Sequence, residues 1–203
     1  MLKIGVLSST RATDMIALLD AIKNREVDAR VTVVISDKKS ALALDNAKRH
    51  GIAAIAVSPA DKSREDFDKE ISEILDQHSV ELVLMIGYMR IVSPWFVNRY
   101  KHRIMNIHPS LLPAFAGGMD KDVHKTVLDS GVKITGCTLH FVDESVDGGP
   151  IIMQKAVAIQ ESESVDTLKA KVQKAEQEII ITAVKLYSQG KLKVEGNKVV
   201  SAA

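Results

Sequence analysis

The 203-residue sequence has a single cysteine, Cys137, so it cannot form an internal disulfide, and this fits a reducing compartment. Long apolar runs are also missing, because none approaches the ~18 residues that a membrane-spanning helix requires. No sign of charge dominates: 27 Lys and Arg stand against 26 Asp and Glu, for a net charge of +1. A nucleic-acid surface usually shows as a basic excess. The sequence therefore predicts a soluble cytoplasmic protein that binds neither membrane nor nucleic acid.

The composition that is present is typical of one globular domain, with 46% apolar and 26% charged residues. The length is sufficient to bury a sizeable core. We expect a single domain over residues 1–203, with one half to about residue 100 and a second half over 101–190. The tail, 191–203, contains short β-prone pieces and ends without apparent structure.

Strand and helix patterns alternate through the first half of the chain. Apolar segments at residues 4–7, 31–35, 52–57 and 82–86 predict strands, and helical patterns follow at 15–22, 40–50 and from 63. The last of these strands is continuously apolar, as expected where both faces of a parallel sheet are covered. This rhythm predicts a parallel sheet with right-handed crossovers.

The second half changes character. Segments 134–142 and 151–159 read as strands so close in sequence that they can pair only as an antiparallel hairpin. A long helix over 164–187 carries an apolar stripe on one side. We therefore predict an α/β fold: an open, mostly parallel twisted sheet with helices on both faces and an antiparallel hairpin in the second half.

The best candidate for a chemical centre is the segment 104–108, which reads as a buried strand. Asn106 and His108 lie two residues apart and project from the same face of that strand, and Pro109 ends it. The carboxyl ends of strands are where open α/β sheets bind ligands. An amide can donate to a developing oxyanion, and an imidazole can carry a proton near neutral pH. A buried pair satisfied by the backbone is the alternative.

A tight Asp-Gly-Gly-Pro turn from residue 147 joins the two strands of the predicted hairpin. If Asp147 faces an imidazole, its charge favours the protonated ring and raises the imidazole pKa. Asp-Gly is also an ordinary turn sequence, which leaves a purely structural role open.

The turn after the first strand is a candidate anion site, because it leads into the amino end of a helix. It carries the hydroxyls of Ser8, Ser9, Thr10 and Thr13, and the fixed positive charge of Arg11 suits a phosphate. The glycine-rich pattern of nucleotide-binding loops is missing here. A solvated loop with a Thr or Asp helix cap is an equally good interpretation.

Metal chemistry has little support in the sequence. His108, His124 and His140 match no zinc-binding spacing, and Cys137 has no second cysteine to join it. We predict no metal site.

These motifs together resemble one family. Asn-Ile-His-Pro-Ser-Leu-Leu-Pro from residue 106, His-Phe-Val from 140 and Asp-Gly-Gly-Pro from 147 are similar, in this order, to the signature of the formyltetrahydrofolate-dependent formyltransferases. Gly-Tyr-Met-Arg-Ile-Val-Ser-Pro from residue 87 looks like the folate loop of the phosphoribosylglycinamide branch of that family. The resemblance runs from residue 3 to about 194 and implies a Rossmann-like formyltransferase domain, with a phosphate-binding first half and a folate-binding, catalytic second half.

The resemblance also implies roles. Asn106 and a protonated His108 would stabilise the oxyanion formed when an amine attacks 10-formyltetrahydrofolate, and Asp147 would hold His108 in its cationic form. The folate would lie against Arg64, Met89, Arg90, Ile91, Val92, Asn106, Asp143, Glu144, Ser145, Val146 and Asp147. The acceptor, glycinamide ribonucleotide, would lie against Arg11, Ala12, Thr13, Asp14, Gln173 and Glu176. The folate is a cosubstrate, no tightly bound cofactor is implied, and the protein would act as a monomer or homodimer on small molecules.

The chain departs from this family pattern in two places. Thr-Arg-Ala-Thr-Asp at 10–14 replaces a Gly-Asn-Gly-Ser-Asn phosphate loop, and Asp14 should repel phosphate unless it caps the helix that follows. The loop over 114–122 also differs from the usual Pro-Gly-Leu-His type. Two alternatives therefore stay open: a formyltransferase for a nucleotide-sugar or other small amine, and a non-catalytic folate-binding relative.

Overall fold

A computed structural model describes residues 1–117 and 123–201. The strands are β1 Leu2–Leu7, β2 Ala29–Ser36, β3 Ala53–Ala56, β4 Leu82–Met85, β5 Ile104–His108, β6 Ile134–Phe141, β7 Ile151–Ala158, β8 Leu192–Glu195 and β9 Lys198–Ser201. The helices are α1 Thr13–Lys23, α2 Leu42–Arg49, α3 Arg64–Gln77, α4 Pro94–Arg99, α5 Val123–Asp129 and α6 Val165–Ser188.

Within the described residues the strands form one sheet in the order β3-β2-β1-β4-β5-β6-β7-β9-β8. The five strands from β3 to β5 pair in parallel, and β6 pairs antiparallel with both β5 and β7. The predicted α/β fold, mostly parallel with an antiparallel hairpin in the second half, is confirmed. The antiparallel neighbour matters for function, because it lays β6 directly beside the Asn106–His108 strand.

Each face of the sheet buries its own hydrophobic core. Successive strand residues point to opposite faces, and in β1 Val6 joins the core under α1 and α6, while Leu7 joins the core under α3 and α4. Phe67 of α3 and Phe96 of α4 fill the second core. The two cores fix the strands from both sides and leave the carboxyl ends of the parallel strands free to carry a site.

The structure adds detail at three places. The short β-prone pieces predicted in the tail are strands β8 and β9, which form an antiparallel hairpin that extends the sheet. Helix α4 was not predicted, although Ser93 caps it by accepting from the Phe96 N–H and Pro94 occupies its first turn. Ser63 caps α3 by accepting from the Asp66 N–H, and its hydroxyl donates to the Asp66 carboxylate at 2.6 Å.

No helix within residues 1–117 and 123–201 has the length and apolar character needed to cross a membrane. The predicted loop at 114–122 can be followed only as far as Gly117, and its remaining residues lie outside the described part of the chain.

Candidate active site

A cleft of about 1210 Å³ opens where β1, β4 and β5 end. This is the edge at which open α/β sheets bind their ligands. Of the residues predicted for the site, the cleft is lined by Arg11, Ala12, Thr13, Asp14, Met89, Arg90, Ile91, Val92, Asn106, His108, Asp143, Glu144, Ser145, Val146, Asp147, Gln173 and Glu176. The structure therefore brings predicted residues from segments more than 160 residues apart in the sequence together in one cleft.

Arg64 is the predicted residue that does not line this cleft. It is the exposed first residue of α3, and its charge acts on the Asp68 carboxyl. Asp68 in turn accepts the Ser93 N–H at 2.5 Å. Arg64 and the cleft residue Arg90 thus both act on the Asp68 carboxyl.

Strand β5 presents Asn106 and His108 to the cleft as predicted, with Pro109 directly after the strand. Asn106 lies opposite His140 of β6 in the antiparallel register, and the Asn106 Nδ2 is 3.2 Å from the His140 Nε2. The His108 Nδ1 is 3.3 Å from the Asp147 Oδ2. Three segments therefore meet in one cluster, which we call the central cluster: Asn106, His108, His140 and Asp147.

Both ring nitrogens of His108 face acceptors. Its Nε2 lies 3.1 Å from the Phe115 carbonyl oxygen, and its Nδ1 faces the Asp147 carboxylate. A neutral imidazole has one N–H and satisfies one of them, whereas the imidazolium donates to both. The surroundings of His108 are therefore matched to its protonated form.

Burial nevertheless has a larger effect on the pKa of His108 than these two acceptors have. Desolvation lowers its pKa below the ordinary value, and the opposing effects of the Asp147 charge and the Phe115 carbonyl do not reverse this. The expectation of a His108 held cationic by Asp147 is therefore not met in this state. Asp147 acts in the expected direction, but loss of solvent is the larger effect.

The surroundings of Asp147 favour its charged form, whereas those of His108 favour the neutral form. Burial alone would raise its pKa, but the hydrogen bonds from His140 and from the Gly117 N–H, with the charges of both imidazoles, bring the pKa below its ordinary value. The Gly117 N–H donates to the Asp147 Oδ2 at 2.9 Å. Asp147 is therefore an ionised, multiply held acceptor at neutral pH.

The turn that carries Asp147 has a backbone conformation that few residue types can adopt. Asp147 itself is left-handed, with φ of 55°, a conformation that Asp tolerates better than most residues. At Gly149 a Cβ would lie 1.9 Å from the Phe141 carbonyl oxygen, so only glycine fits there. The Asp-Gly-Gly-Pro sequence thus places the carboxylate by forcing the chain close to the end of β6.

His140 is a member of the central cluster that the sequence analysis did not assign to the site. Its Nδ1 is 2.9 Å from the Phe141 carbonyl oxygen, and its Nε2 is 3.2 Å from the Asn106 Nδ2. The His140 Nε2 is also 3.7 Å from the Asp147 Oδ1. The available signal was the His-Phe-Val motif from residue 140, which carried part of the family resemblance, although His140 was given no role.

One end of the cleft is apolar and lined by the segment after β4. Met89 and Ile91 are 42% and 40% exposed there, whereas Val92 is buried. Arg90 stacks over the Phe67 ring, with its guanidinium carbon 4.7 Å from the ring centroid. The loop at 143–147 faces this end, and a Ser145 N–H bond to Asp143 holds that loop in a turn. A flat heteroaromatic ligand would find apolar surface here.

The loops after β1 and β4 are locked together. The Ser9 N–H donates to the Gly87 carbonyl, and the Met89 N–H donates to the Ser9 Oγ at 2.9 Å. Gly87 has φ of 60°, and a Cβ there would lie 2.3 Å from the Thr10 Oγ1. The two ends of the cleft therefore share one backbone scaffold.

The other end of the cleft lies at the start of α1. Ala12 is the N-cap in a left-handed conformation, with no side chain capping the helix, while the exposed Arg11 lines the cleft. Asp14 is only 4% exposed, and its carboxyl accepts from its own N–H in the first turn of α1 and from the Gln177 side chain. Lys38, after β2, also lines this end, a second cation that the sequence analysis missed.

Helix α6 completes this end with Gln173 and Glu176, one turn apart, both lining the cleft. Glu176 is 7% exposed, and burial together with the negative charge of Asp14 raises its pKa to about 8, against a smaller effect of Lys169. A buried carboxyl of this kind is suited to an amine. For metals, no group of three His, Cys, Asp or Glu side chains among the described residues is arranged to hold an ion.

Comparison with known proteins identifies relatives that cover nearly the whole chain. The profile of the Formyl transferase family matches residues 2–184. The phosphoribosylglycinamide formyltransferase of Escherichia coli is 36% identical over 197 residues, or 97% of this chain and 92% of that enzyme. The bovine trifunctional purine biosynthetic protein adenosine-3 is 38% identical over 96% of this chain, which spans 19% of that relative's length.

Solved structures agree. The crystal structure of glycinamide ribonucleotide transformylase 1 from Symbiobacterium toebii superposes with a TM-score of 0.95 at 41% identity, covering 100% of this chain and 95% of that one. Sequence, fold and the arrangement of the cleft therefore lead to one conclusion: the chain belongs to the formyl transferase family.

Proposed function

We propose that this protein transfers the formyl group of 10-formyltetrahydrofolate to the amine of glycinamide ribonucleotide, a step of purine synthesis. The observation that carries the proposal is the central cluster, in which an amide, an imidazole and a carboxylate meet between an apolar end and a cationic end of one cleft. Each end suits one substrate, and the cluster lies where the two would meet.

In the proposed reaction the acceptor amine attacks the formyl carbon and forms a tetrahedral oxyanion. The Asn106 amide has two N–H groups, and while one donates to His140 the other is available to the oxyanion. The new negative charge next to His108 favours the protonated ring, as Asp147 already does. We therefore expect His108 to be protonated in the transition state, although burial disfavours its charge beforehand.

Collapse of the intermediate breaks the bond between the formyl carbon and the folate nitrogen. The attacking nitrogen loses a proton and the folate nitrogen gains one, through water in the cleft. Asp147 is held by three neighbours and stays ionised, so its role is to stabilise the imidazolium of His108 rather than to carry the proton.

We place the folate at the apolar end. Its pterin ring would contact the backbone and side chains of Met89, Arg90, Ile91 and Val92, with the loop formed by Asp143, Glu144, Ser145, Val146 and Asp147 on the other side. Arg64 lies farther out and would meet only the glutamate tail.

We place the acceptor at the cationic end. The amino end of α1 offers N–H donors and a partial positive charge to a phosphate, with Arg11 and Lys38 beside it. Thr13 can add a hydroxyl. The amine would lie towards Gln173 and Glu176, which brings it between α6 and the central cluster.

The partners of this proposal are small molecules, and the protein would work in the cytoplasm as a monomer or homodimer. The folate is consumed as a cosubstrate in each turnover, and no resident cofactor takes part.

The decisive assay follows the absorbance of the folate product with three acceptors: glycinamide ribonucleotide, its dephosphorylated analogue and a sugar-nucleotide amine. We expect turnover with the first and a large loss of kcat/KM without the phosphate. Preference for the sugar-nucleotide amine would assign the family chemistry to another acceptor, and binding of folate without turnover on any amine would support a non-catalytic relative.

A further inference from the structure

The segment 109–117, which follows β5, carries two backbone groups that contact the central cluster. The Phe115 carbonyl oxygen lies 3.1 Å from the His108 Nε2, and the Gly117 N–H donates to the Asp147 Oδ2 at 2.9 Å. Because both groups belong to the backbone, their positions depend on the conformation of the whole segment. The interactions that fix this segment therefore also fix the surroundings of the central cluster.

Phe115 has a backbone conformation that requires support from its neighbours. Its φ is 59°, in the left-handed region that bulky residues rarely adopt. Such a conformation persists only where the surrounding structure determines it. The Phe115 side chain packs against the core under α1 and α6, and the Ser110 hydroxyl donates to the Ala114 carbonyl at 2.6 Å. The segment thus bonds to itself directly before the residue whose carbonyl faces His108.

One buried hydroxyl anchors the segment to β6. Thr138 is fully buried and lies opposite His108 in the antiparallel register of β5 and β6. Its Oγ1 donates to the Ser110 carbonyl at 2.7 Å and accepts the Leu112 N–H at 3.0 Å. A single side chain therefore fixes the segment at two points, one on each side of Leu111.

Strand β7 supplies a second anchor. Gln154 pairs with Thr138 in the register of β6 and β7, and its Nε2 is 2.9 Å from both the Leu112 carbonyl oxygen and the Thr138 Oγ1. The Thr138 hydroxyl thereby uses its one donor and both of its acceptor positions. Gly136 leaves room for the segment, because a Cβ there would lie 2.9 Å from the Leu111 Cδ2. The segment therefore packs directly on the β6–β7 hairpin.

Thr138 and Gln154 do not line the cleft formed by the described residues, so neither can contact a substrate there. We propose that Thr138 and Gln154 are positioning residues for formyl transfer, which act on His108 and Asp147 through the segment 109–117. The inference rests on the proposed function, because formyl transfer is the reaction whose rate it concerns. It also gives a role to the Ser-Leu-Leu-Pro end of the family motif, which the catalytic roles leave without one.

The two backbone groups favour the charges that the reaction requires. The Phe115 carbonyl accepts from the imidazolium of His108, and this contact raises the His108 pKa against the effect of burial. The Gly117 N–H favours the ionised form of Asp147. The titratable groups whose charges act on His108 are Asp147, which raises its pKa, and His140, which lowers it. If the segment moves, these two charges remain and His108 loses an acceptor for its protonated form.

The kinetic test compares two substitutions of Thr138. Thr138→Val removes the hydroxyl with little change of size, whereas Thr138→Ser keeps it. The control is Thr135→Val, because Thr135 is a buried threonine of the same strand whose hydroxyl has no hydrogen-bond partner among the described residues. We expect Thr138→Val to lower kcat with glycinamide ribonucleotide on the order of 10- to 100-fold, the effect of a small misplacement of catalytic groups.

Thr138→Ser and Thr135→Val should keep the wild-type kcat. Titration with a folate inhibitor should show unchanged binding in all three proteins, because the substituted side chains lie outside the cleft. An equal loss of kcat in Thr138→Ser and Thr138→Val would contradict the inference, since the hydroxyl would then have no part in the effect.

A second variant tests the same inference at an exposed position, and it decides the matter if Thr138→Val does not fold. Gln154→Met removes the donor to Leu112 and Thr138 without burying an unpaired group. The control is Gln160→Met, an exposed glutamine that follows β7. We expect Gln154→Met to lower kcat about three- to tenfold, the size of one hydrogen bond, and Gln160→Met to leave kcat unchanged.

A further measurement needs neither substrate. NMR titration of the His108 ring in the free protein should show a lower pKa in Thr138→Val and Gln154→Met than in the wild type, and no change in the two controls. If the wild type does not formylate glycinamide ribonucleotide while the pKa falls as expected, the proposed function fails and the effect of the segment on His108 stands. If it does formylate this acceptor but the folded variants keep the wild-type kcat or the wild-type His108 titration, the inference is wrong.

Discussion

The central cluster and the α1 end of the cleft differ in how their polar atoms are satisfied. In the central cluster, Asn106, His108, His140 and Asp147 contact one another or the backbone, and each is positioned by a strand or a forced turn. At the acceptor end, the Asp14 Oδ1 lacks a partner. Folding alone therefore satisfies the polar atoms of the central cluster, whereas the α1 end of the cleft keeps a buried oxygen without a donor among the described residues. Changes in the first should affect kcat, and changes in the second should affect acceptor binding and pH dependence.

The largest effect is expected at the central cluster. Asn106→Ala removes the amide that faces the developing oxyanion, and His108→Ala removes the imidazole, so each should lower kcat on the order of 100-fold or more. Titration with a folate inhibitor should show that binding persists. Asn24→Ala, an exposed asparagine on α1's carboxyl side, is the matched control. If a folded Asn106→Ala protein has the wild-type kcat, Asn106 does not stabilise the oxyanion.

The next effect distinguishes the two ends directly. Arg11→Ala should raise the acceptor KM roughly ten- to a hundredfold, the size of one or two charged hydrogen bonds to phosphate, and leave the KM for 10-formyltetrahydrofolate unchanged. Each substrate is varied in turn, with the exposed Arg30→Ala on β2 as control. An unchanged acceptor KM would show that Arg11 does not bind the phosphate. The backbone and Lys38 would then be the groups that bind it.

A smaller effect concerns the charge of His108. Asp147 opposes the effect of burial on this ring, so Asp147→Asn should lower the already lowered pKa of His108 further. NMR titration of the His108 ring measures it. Asp143→Asn in the same loop, where the carboxylate bonds Ser145 instead, should leave the ring unchanged. Equal titration of His108 in wild type and Asp147→Asn would contradict the coupling.

The smallest effect is expected on the free energy of unfolding and concerns Asp14. The folded-state pKa of Asp14 is raised from 3.8 to about 6, so the folded protein binds a proton that the unfolded chain has lost, and the free energy of unfolding falls as pH rises through this window. Asp14→Asn should therefore gain stability relative to wild type between pH 4 and 6, on the order of 2 kcal/mol. Urea unfolding at several pH values measures this, and a gain independent of pH would refute it.

The sequence predicted the fold well where local signals were strong. The strand Ile104–His108 has the predicted bounds, because a polar turn precedes it and Pro109 cannot continue it. Helix α4 is too short for a helical period to show, so only Ser93 and Pro94 marked it. The β8–β9 hairpin turns at Gly196 and Asn197, a pair typical of two-residue turns that the analysis did not use.

What could not be predicted depends on pairing between distant segments. Asp14 has the residue type and position of a helix cap, and only the packing of α1 on α6 turns it towards Glu176. The lowered pKa of His108 has the same origin, since burial is a property of the folded chain. His140 became part of the site through the register of β5 and β6.

The two margins of the nine-stranded sheet also have a consequence for how the protein behaves at high concentration. The sheet ends at β3 on one side and at β8 on the other, and both are only four residues long. Exposed strand edges invite neighbouring molecules to add strands, and short or charged edges discourage this. Lys193 and Glu195 supply such charges on β8. The sheet thus gives other copies of the chain little backbone on which to aggregate.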